Sequence, residues 1–258
     1  MIWRLACVLT FALSASAQSQ THDRLDRRDK LLGYEAVGLL QTSRGNCTGA
    51  LIARDVVLTA AHCVHGKGGE FQFRTGFSHG AALATRRVES VMISPAYLEA
   101  VATGDRKAQR PNDVALARLV SPITDPATAP YSIGDVPRPG SDLTLVSYGR
   151  GRMESLTLEE GCSLNNLYTG GVVGMDCSAT FGSSGAPVFA TKNGELEIVS
   201  IISGGNDDET LGVELSDVVP ELMAMLGRKR ALAPAQAQAR RVSVGQRSGS
   251  GITFIQAK

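Results

Sequence analysis

The sequence contains no C-x-x-C pair, and its cysteines and histidines nowhere repeat at the spacing of a zinc motif. Structural zinc sites are built from such motifs, so neither a zinc-stabilised fold nor metal chemistry is expected. No heptad pattern runs along the chain and no repeat is visible at a period of about 20–50 residues, which argues against coiled-coil and solenoid architectures. Beyond the first twenty residues no segment is apolar for long enough to cross about 30 Å of hydrocarbon. Net charge is nearly absent too, at +1, although the balance is uneven along the chain. From Gly227 onward there are seven Lys/Arg and no acid, so a mildly acidic body carries a basic tail.

What is present describes a soluble globular protein. Of 258 residues, 43% are hydrophobic and 20% charged, enough for one all-β domain of about 200 residues or two small ones. Glycine is plentiful at 28, which tilts the expectation towards strands and turns. The opening "MIWRLACVLTFALSASAQSQ" has one early charge, Arg4, then an apolar run from Leu5 to Leu13 and small residues ending in Ala15-Ser16-Ala17. Such a run is too short for a membrane anchor and fits a secretory signal over residues 1–17 cleaved after Ala17, hence an exported, periplasmic or extracellular protein. Cys7 leaves with the signal, and Cys47, Cys63, Cys162 and Cys177 remain. An even count in an oxidising compartment favours two disulfides; of the three possible pairings, 47–63 with 162–177 is the most local.

Residues 18–30 are polar and charged and read as a flexible lead-in. From 31 to 226 short β segments alternate with turns. "GALIARDVVLTA" predicts a hairpin turning at Arg54-Asp55, and "APVFATKNGELEIVSIIS" predicts two strands joined by an Asn-Gly turn. "RRVESVMIS", "NDVALARL" and "DLTLVSYG" are further strands. Only Ser216 to Leu226 reads as helical, with Ser216 as cap and Pro220 in the first turn. Many strands and one terminal helix predict a β-barrel domain. Residues 227–258 are poor in large apolar side chains and read as a disordered, solvated tail, with weak contact to a polyanion or anionic surface as the sharper alternative.

Hydrolysing an amide requires a nucleophile, a base, a group that fixes the base, and donors for the developing oxyanion. "VLTAAHCV" places His62 just after a strand. "RPNDVALARL" places Asp113 at the start of another, and "GSSGAPV" places Ser184 in a glycine-flanked turn before a third. Glycine there lets backbone N–H groups converge and a carbonyl approach closely. His22, His65 and His79 lie outside these motifs and read as exposed loop residues.

"LTAAHC", "NDVAL" and "GSSGAP", in the order His, Asp, Ser, resemble the chymotrypsin/trypsin-like serine peptidases, over roughly residues 31–226. Cys47, sixteen residues before Cys63, strengthens the likeness. Length and signal are most similar to secreted bacterial, glutamyl-endopeptidase-like members. The resemblance implies two six-stranded antiparallel β-barrels, joined near residues 120–140, with a cleft between them and a C-terminal helix. It implies a serine endopeptidase that needs no cofactor and no metal and takes a protein or peptide substrate. In that family Ser184 would attack the scissile carbonyl, His62 would accept and return the proton, and Asp113 would orient His62. The N–H groups of Gly182 and Ser184 would form the oxyanion hole. A catalytically silent binding module on the same fold is the alternative.

The family motif Gly-Asp-Ser-Gly-Gly-Pro aligns with Gly182-Ser183-Ser184-Gly185-Ala186-Pro187, so Ser183 replaces an aspartate that in some members pairs with a new N-terminus. A hydroxyl cannot make that ion pair, which implies a site assembled without a buried terminal amine. Ser178 would lie at the base of the primary pocket, while Ser203, Gly204 and Gly205 would form the strand that pairs with extended substrate. A serine base argues against Arg or Lys, and the lack of a histidine near Ser203 argues against Glu. An apolar or small substrate side chain is the expectation.

Overall fold

The computed structural model describes residues 23–27, 30–43, 45–206 and 208–231. The signal segment and the tail from 232 onward lie outside the described residues.

Strands β1 (Asp23–Arg24), β2 (Val37–Thr42), β3 (Gly45–Ala53) and β4 (Val56–Thr59) are followed by the short helix α1 (Ala61–Val64). Next come β5 (Gln72–Thr75), β6 (Ala84–Ile93), helices α2 (Pro95–Ala102) and α3 (Arg106–Gln109), and β7 (Ala115–Leu119). The second half holds β8 (Ser132–Ile133), β9 (Asp142–Ser147), β10 (Thr157–Tyr168), β11 (Val172–Met175), β12 (Pro187–Lys192), β13 (Glu195–Gly205) and β14 (Thr210–Glu214), then helix α4 (Val218–Ala231). Two antiparallel six-stranded barrels result. One closes in the order β2-β3-β4-β7-β6-β5. The other runs β10-β11-β14-β13-β12-β9 and closes through β9–β10, with β1 and β8 added to its edges.

Local chemistry explains the tightest turns. Asn193 and Gly194 both have positive φ, 54° and 84°, as a two-residue turn matched to strand twist requires. Arg54-Asp55 joins β3 to β4. Cys47 is bonded to Cys63 and Cys162 to Cys177, the most local of the three pairings.

Each barrel has its own apolar filling: Leu40, Leu51, Phe73 and Leu119 in the first, and Leu143, Leu164, Val188 and Ile202 in the second. A third cluster is shared. It contains Leu39 and Leu58 of the first barrel, Tyr148, Phe189 and Ile201 of the second, and Val219, Leu222 and Leu226 of α4. Each such side chain removed from water contributes about 1.5–3 kcal/mol, so α4 binds along the seam.

Three expectations are corrected. Helices α2 and α3 show that Ser216–Leu226 is not alone in being helical: Pro95 opens the first, and Asp105 caps the second by accepting from Lys107 and Ala108 N–H at 3.0 Å each. Within the lead-in, β1 pairs with β10 and Leu25 is 3% exposed, because that leucine anchors the strand end in the shared core. Helix α4 begins at Val218 and runs to Ala231, past the expected end at Leu226; Ser216 Oγ donates to Glu214 rather than capping it. Pro220 does fall in the first turn, where its missing N–H costs nothing.

Candidate active site

His62 sits in α1, which a single residue separates from β4, directly after the fully buried Ala60 and Ala61. Asp113 follows the single turn of 3-10 helix at Arg110–Asn112 and precedes β7, which pairs with β4. The two residues are therefore neighbours by strand pairing. Asp113 grips His62 twice: Oδ1 accepts the backbone N–H at 2.9 Å and Oδ2 meets ring Nδ1 at 2.7 Å. With the proton held on Nδ1, Nε2 is left as the basic nitrogen. The carboxylate is 4% exposed, and a third donor, Ser203 Oγ, reaches Oδ2 at 2.6 Å. That hydroxyl comes from the other barrel.

Ser184 lies in the loop between β11 and β12, seated by a residue of the first barrel. Thr48 N–H donates to Ser184 C=O at 2.9 Å, and Thr48 Oγ1 donates to Gly182 C=O at 2.9 Å. The glycines of "GSSGAP" are forced. Gly182 has φ +100°, and a Cβ there would stand 2.5 Å from Tyr148 O; at Gly185, φ is +75° and a Cβ would overlap Thr59 Oγ1 and the Thr48 carbonyl. Ser183 is fully buried, its Oγ donating to Ser147 Oγ at 3.2 Å, so it points away from the cleft.

The cystine sulfur of Cys63 lies 3.9 Å from His62 Nε2 and 3.7 Å from the Ser184 carbonyl, which brings imidazole and serine loop to one place. No hydrogen bond reaches Ser184 Oγ among the described residues. The N–H groups of Ser183, Gly185 and Ala186 are all engaged, by Thr180, Ile202 and Ser183 carbonyls. Those of Gly182 and Ser184 donate to nothing among the described residues, leaving two adjacent free donors beside the serine.

A family model for the trypsin-like peptidase domain matches residues 47–197. The chain belongs to the trypsin-like peptidase family. A solved Glu endopeptidase in complex with MPD is similar in fold: TM-score 0.69 at 16% identity, covering 82% of this chain and 98% of that one. No curated protein matches. Family and fold together support a serine peptidase.

The peptidase cleft has further features along its second barrel. On β13, pairing with β12 ends at Ile201, while Gly204 and Gly205 keep only β14 as a strand partner among the described residues. An open strand edge thus begins at Ser203, beside the Asp113 carboxylate. Ser178 follows the Cys162–Cys177 bridge, and its N–H donates to both oxygens of the buried Glu159 at 3.0 Å. Thr48, Glu159 and Arg152, whose Nη2 lies 3.5 Å from the Ser178 carbonyl, were not foreseen from sequence. Only Thr48 carried a local signal, by following the cysteine of a strand that packs on the cleft.

Two other titratable groups correct or extend the reading. His65 is half-buried, its ring edge-on to Tyr97 at 5.8 Å, rather than an exposed loop residue; His79 is exposed. Burial pushes the Tyr97 phenol up from its ordinary value, and the nearby Asp113 charge adds to this. The atoms of Cys47, His62 and Cys63 lie within 4.8 Å of one another, but both sulfurs are committed to the disulfide and cannot serve as thiolate ligands.

Proposed function

We propose that the chain is an exported serine endopeptidase in which Ser184 attacks the scissile carbonyl. Rotation of Ser184 about its Cα–Cβ bond brings Oγ onto His62 Nε2, which takes the proton and returns it to the leaving amine. Asp113 holds the ring in the required tautomer and stabilises the imidazolium. The free N–H groups of Gly182 and Ser184 receive the oxyanion, a contribution of about 3–4 kcal/mol per donor in comparable sites. Extended substrate adds to the edge at Ser203, Gly204 and Gly205, and its acyl-side residue enters the pocket floored by Ser178.

The single observation that carries this reading is the doubly hydrogen-bonded His62–Asp113 pair facing a serine loop with two free N–H donors. Two cystines support an oxidising compartment, and the basic tail is proposed to touch polyanionic surfaces weakly. Peptide-library cleavage by the processed chain tests the activity. Ser184→Ala is expected to lower kcat by about 10⁶-fold with peptide binding retained. Hydrolysis that persists at the original rate would overturn the assignment, and binding without turnover in the unsubstituted protein would make it a silent peptidase-fold module.

A further inference from the structure

Ser178 is held by ions of opposite sign at its two backbone polar groups. Its N–H donates to both Glu159 oxygens at 3.0 Å, and its C=O accepts from Arg152 Nη2 at 3.5 Å. Glu159, on β10, is 1% exposed. The Arg152 guanidinium is threaded beneath the same loop: it fills the space a Cβ on Gly149 would take, with Nη2 2.6 Å and Nε 3.1 Å from that point and Thr180 Oγ1 beside them. Its Nη1 is buried and has no hydrogen-bond partner among the described residues. Burial pulls the guanidinium down from its ordinary range while the Glu159 carboxylate acts to raise it.

We propose that Glu159 and Arg152 form an electrically balanced couple under the floor of the substrate pocket, and that this balance selects an uncharged acyl-side residue. The inference rests on the reading of Ser184 as nucleophile and Ser178 as pocket floor. The buried carboxylate alone behind the floor would draw in Lys or Arg, and the half-buried guanidinium alone would draw in Glu or Asp, because an uncompensated charge acts strongly where water is largely excluded. Together they cancel at the distance of the pocket. The Ser178 N–H is already saturated by Glu159, so it offers no donor to an acidic side chain. Both residues are positioning groups that act through the Ser178 peptide and the local field.

The test uses the full chain and three peptides that differ only in having Leu, Lys or Glu on the acyl side of the cleaved bond, with Ser184→Ala as blank. The unsubstituted protein is expected to favour Leu over both charged residues. Arg152→Gln, which keeps a donor for the Ser178 carbonyl, should raise the Lys/Leu ratio of kcat/KM on the order of tenfold. Arg152→Met serves as a second neutral variant. Glu159→Gln, nearly isosteric, should raise the Glu/Leu ratio comparably. Combining the two substitutions should return both ratios to their original values. A purely structural role predicts equal losses on all three peptides with ratios unmoved, and that result overturns the inference alone. A charged preference in the unsubstituted protein overturns it as well. Absence of any Ser184-dependent hydrolysis refutes the parent reading, and this one with it.

Discussion

Gly185 shows how a single backbone position fixes Ser184, the proposed nucleophile. At φ +75° an L side chain is strained, and its Cβ would strike Thr59 Oγ1, the Thr48 carbonyl and Ala60 N at once. None of these can retreat: Thr59 Oγ1 is hydrogen-bonded to the Thr48 carbonyl at 2.9 Å inside the core. Gly185→Ala is therefore expected to cost about 2–3 kcal/mol and to displace Ser184, read as a lowered Tm in calorimetry together with a fall in kcat larger than any change in KM. An unchanged Tm would show that the loop relaxes freely. The glycines were legible in the sequence because a turn that aims a serine needs them. Glu159 and Arg152 were not, since an acid in "LTLEEG" and an arginine in "GRGRM" are indistinguishable from solvated surface until the chain folds around them. Ser203 was legible as a strand residue, but its hydrogen bond to Asp113 spans ninety residues of sequence and has no local signature.

Among elements, the hairpins at Arg54-Asp55 and Asn193-Gly194 announced themselves through turn chemistry between apolar runs. Helices α2 and α3 did not, since at eight and four residues they lack the span over which a 3.6-residue period shows. The same weakness hid β1, only two residues long and stabilised by Leu25 in a distant core rather than by its own sequence. The Cys162–Cys177 bridge ties β10 to the segment carrying Ser178, closing a separation of 15 residues. Replacing both cysteines by serine should lower stability by ~3 kcal/mol, measured by denaturant midpoint. Because the bridge abuts Ser178, the proposed pocket floor, and not His62, Asp113 or Ser184, KM should rise more than kcat falls. The reverse pattern would place the bridge's influence on the serine loop instead.

For the whole molecule, the shared core decides how the two barrels behave. Leu39, Leu58, Tyr148, Phe189 and the α4 face bury one another across the seam, and Tyr148 OH donates to the Phe77 carbonyl at 2.9 Å from barrel to barrel. Neither barrel can lose its partner without exposing this layer. Calorimetry should therefore record one unfolding transition, with Phe189→Ala lowering stability by about 3–5 kcal/mol and both halves melting together. Two separated transitions would mean that each barrel is stable alone.

His62 and Asp113 ride on one barrel while Ser184 rides on the other, so any sliding between the halves would act first on the approach of imidazole to serine loop, the proposed path of the proton. Two fasteners flank that approach and run in opposite directions: Thr48 reaches out from the first barrel to the serine loop, and Ser203 reaches back from the second to the aspartate. Opposed in this way, they resist shear of either sense and keep the imidazole and the serine loop in register.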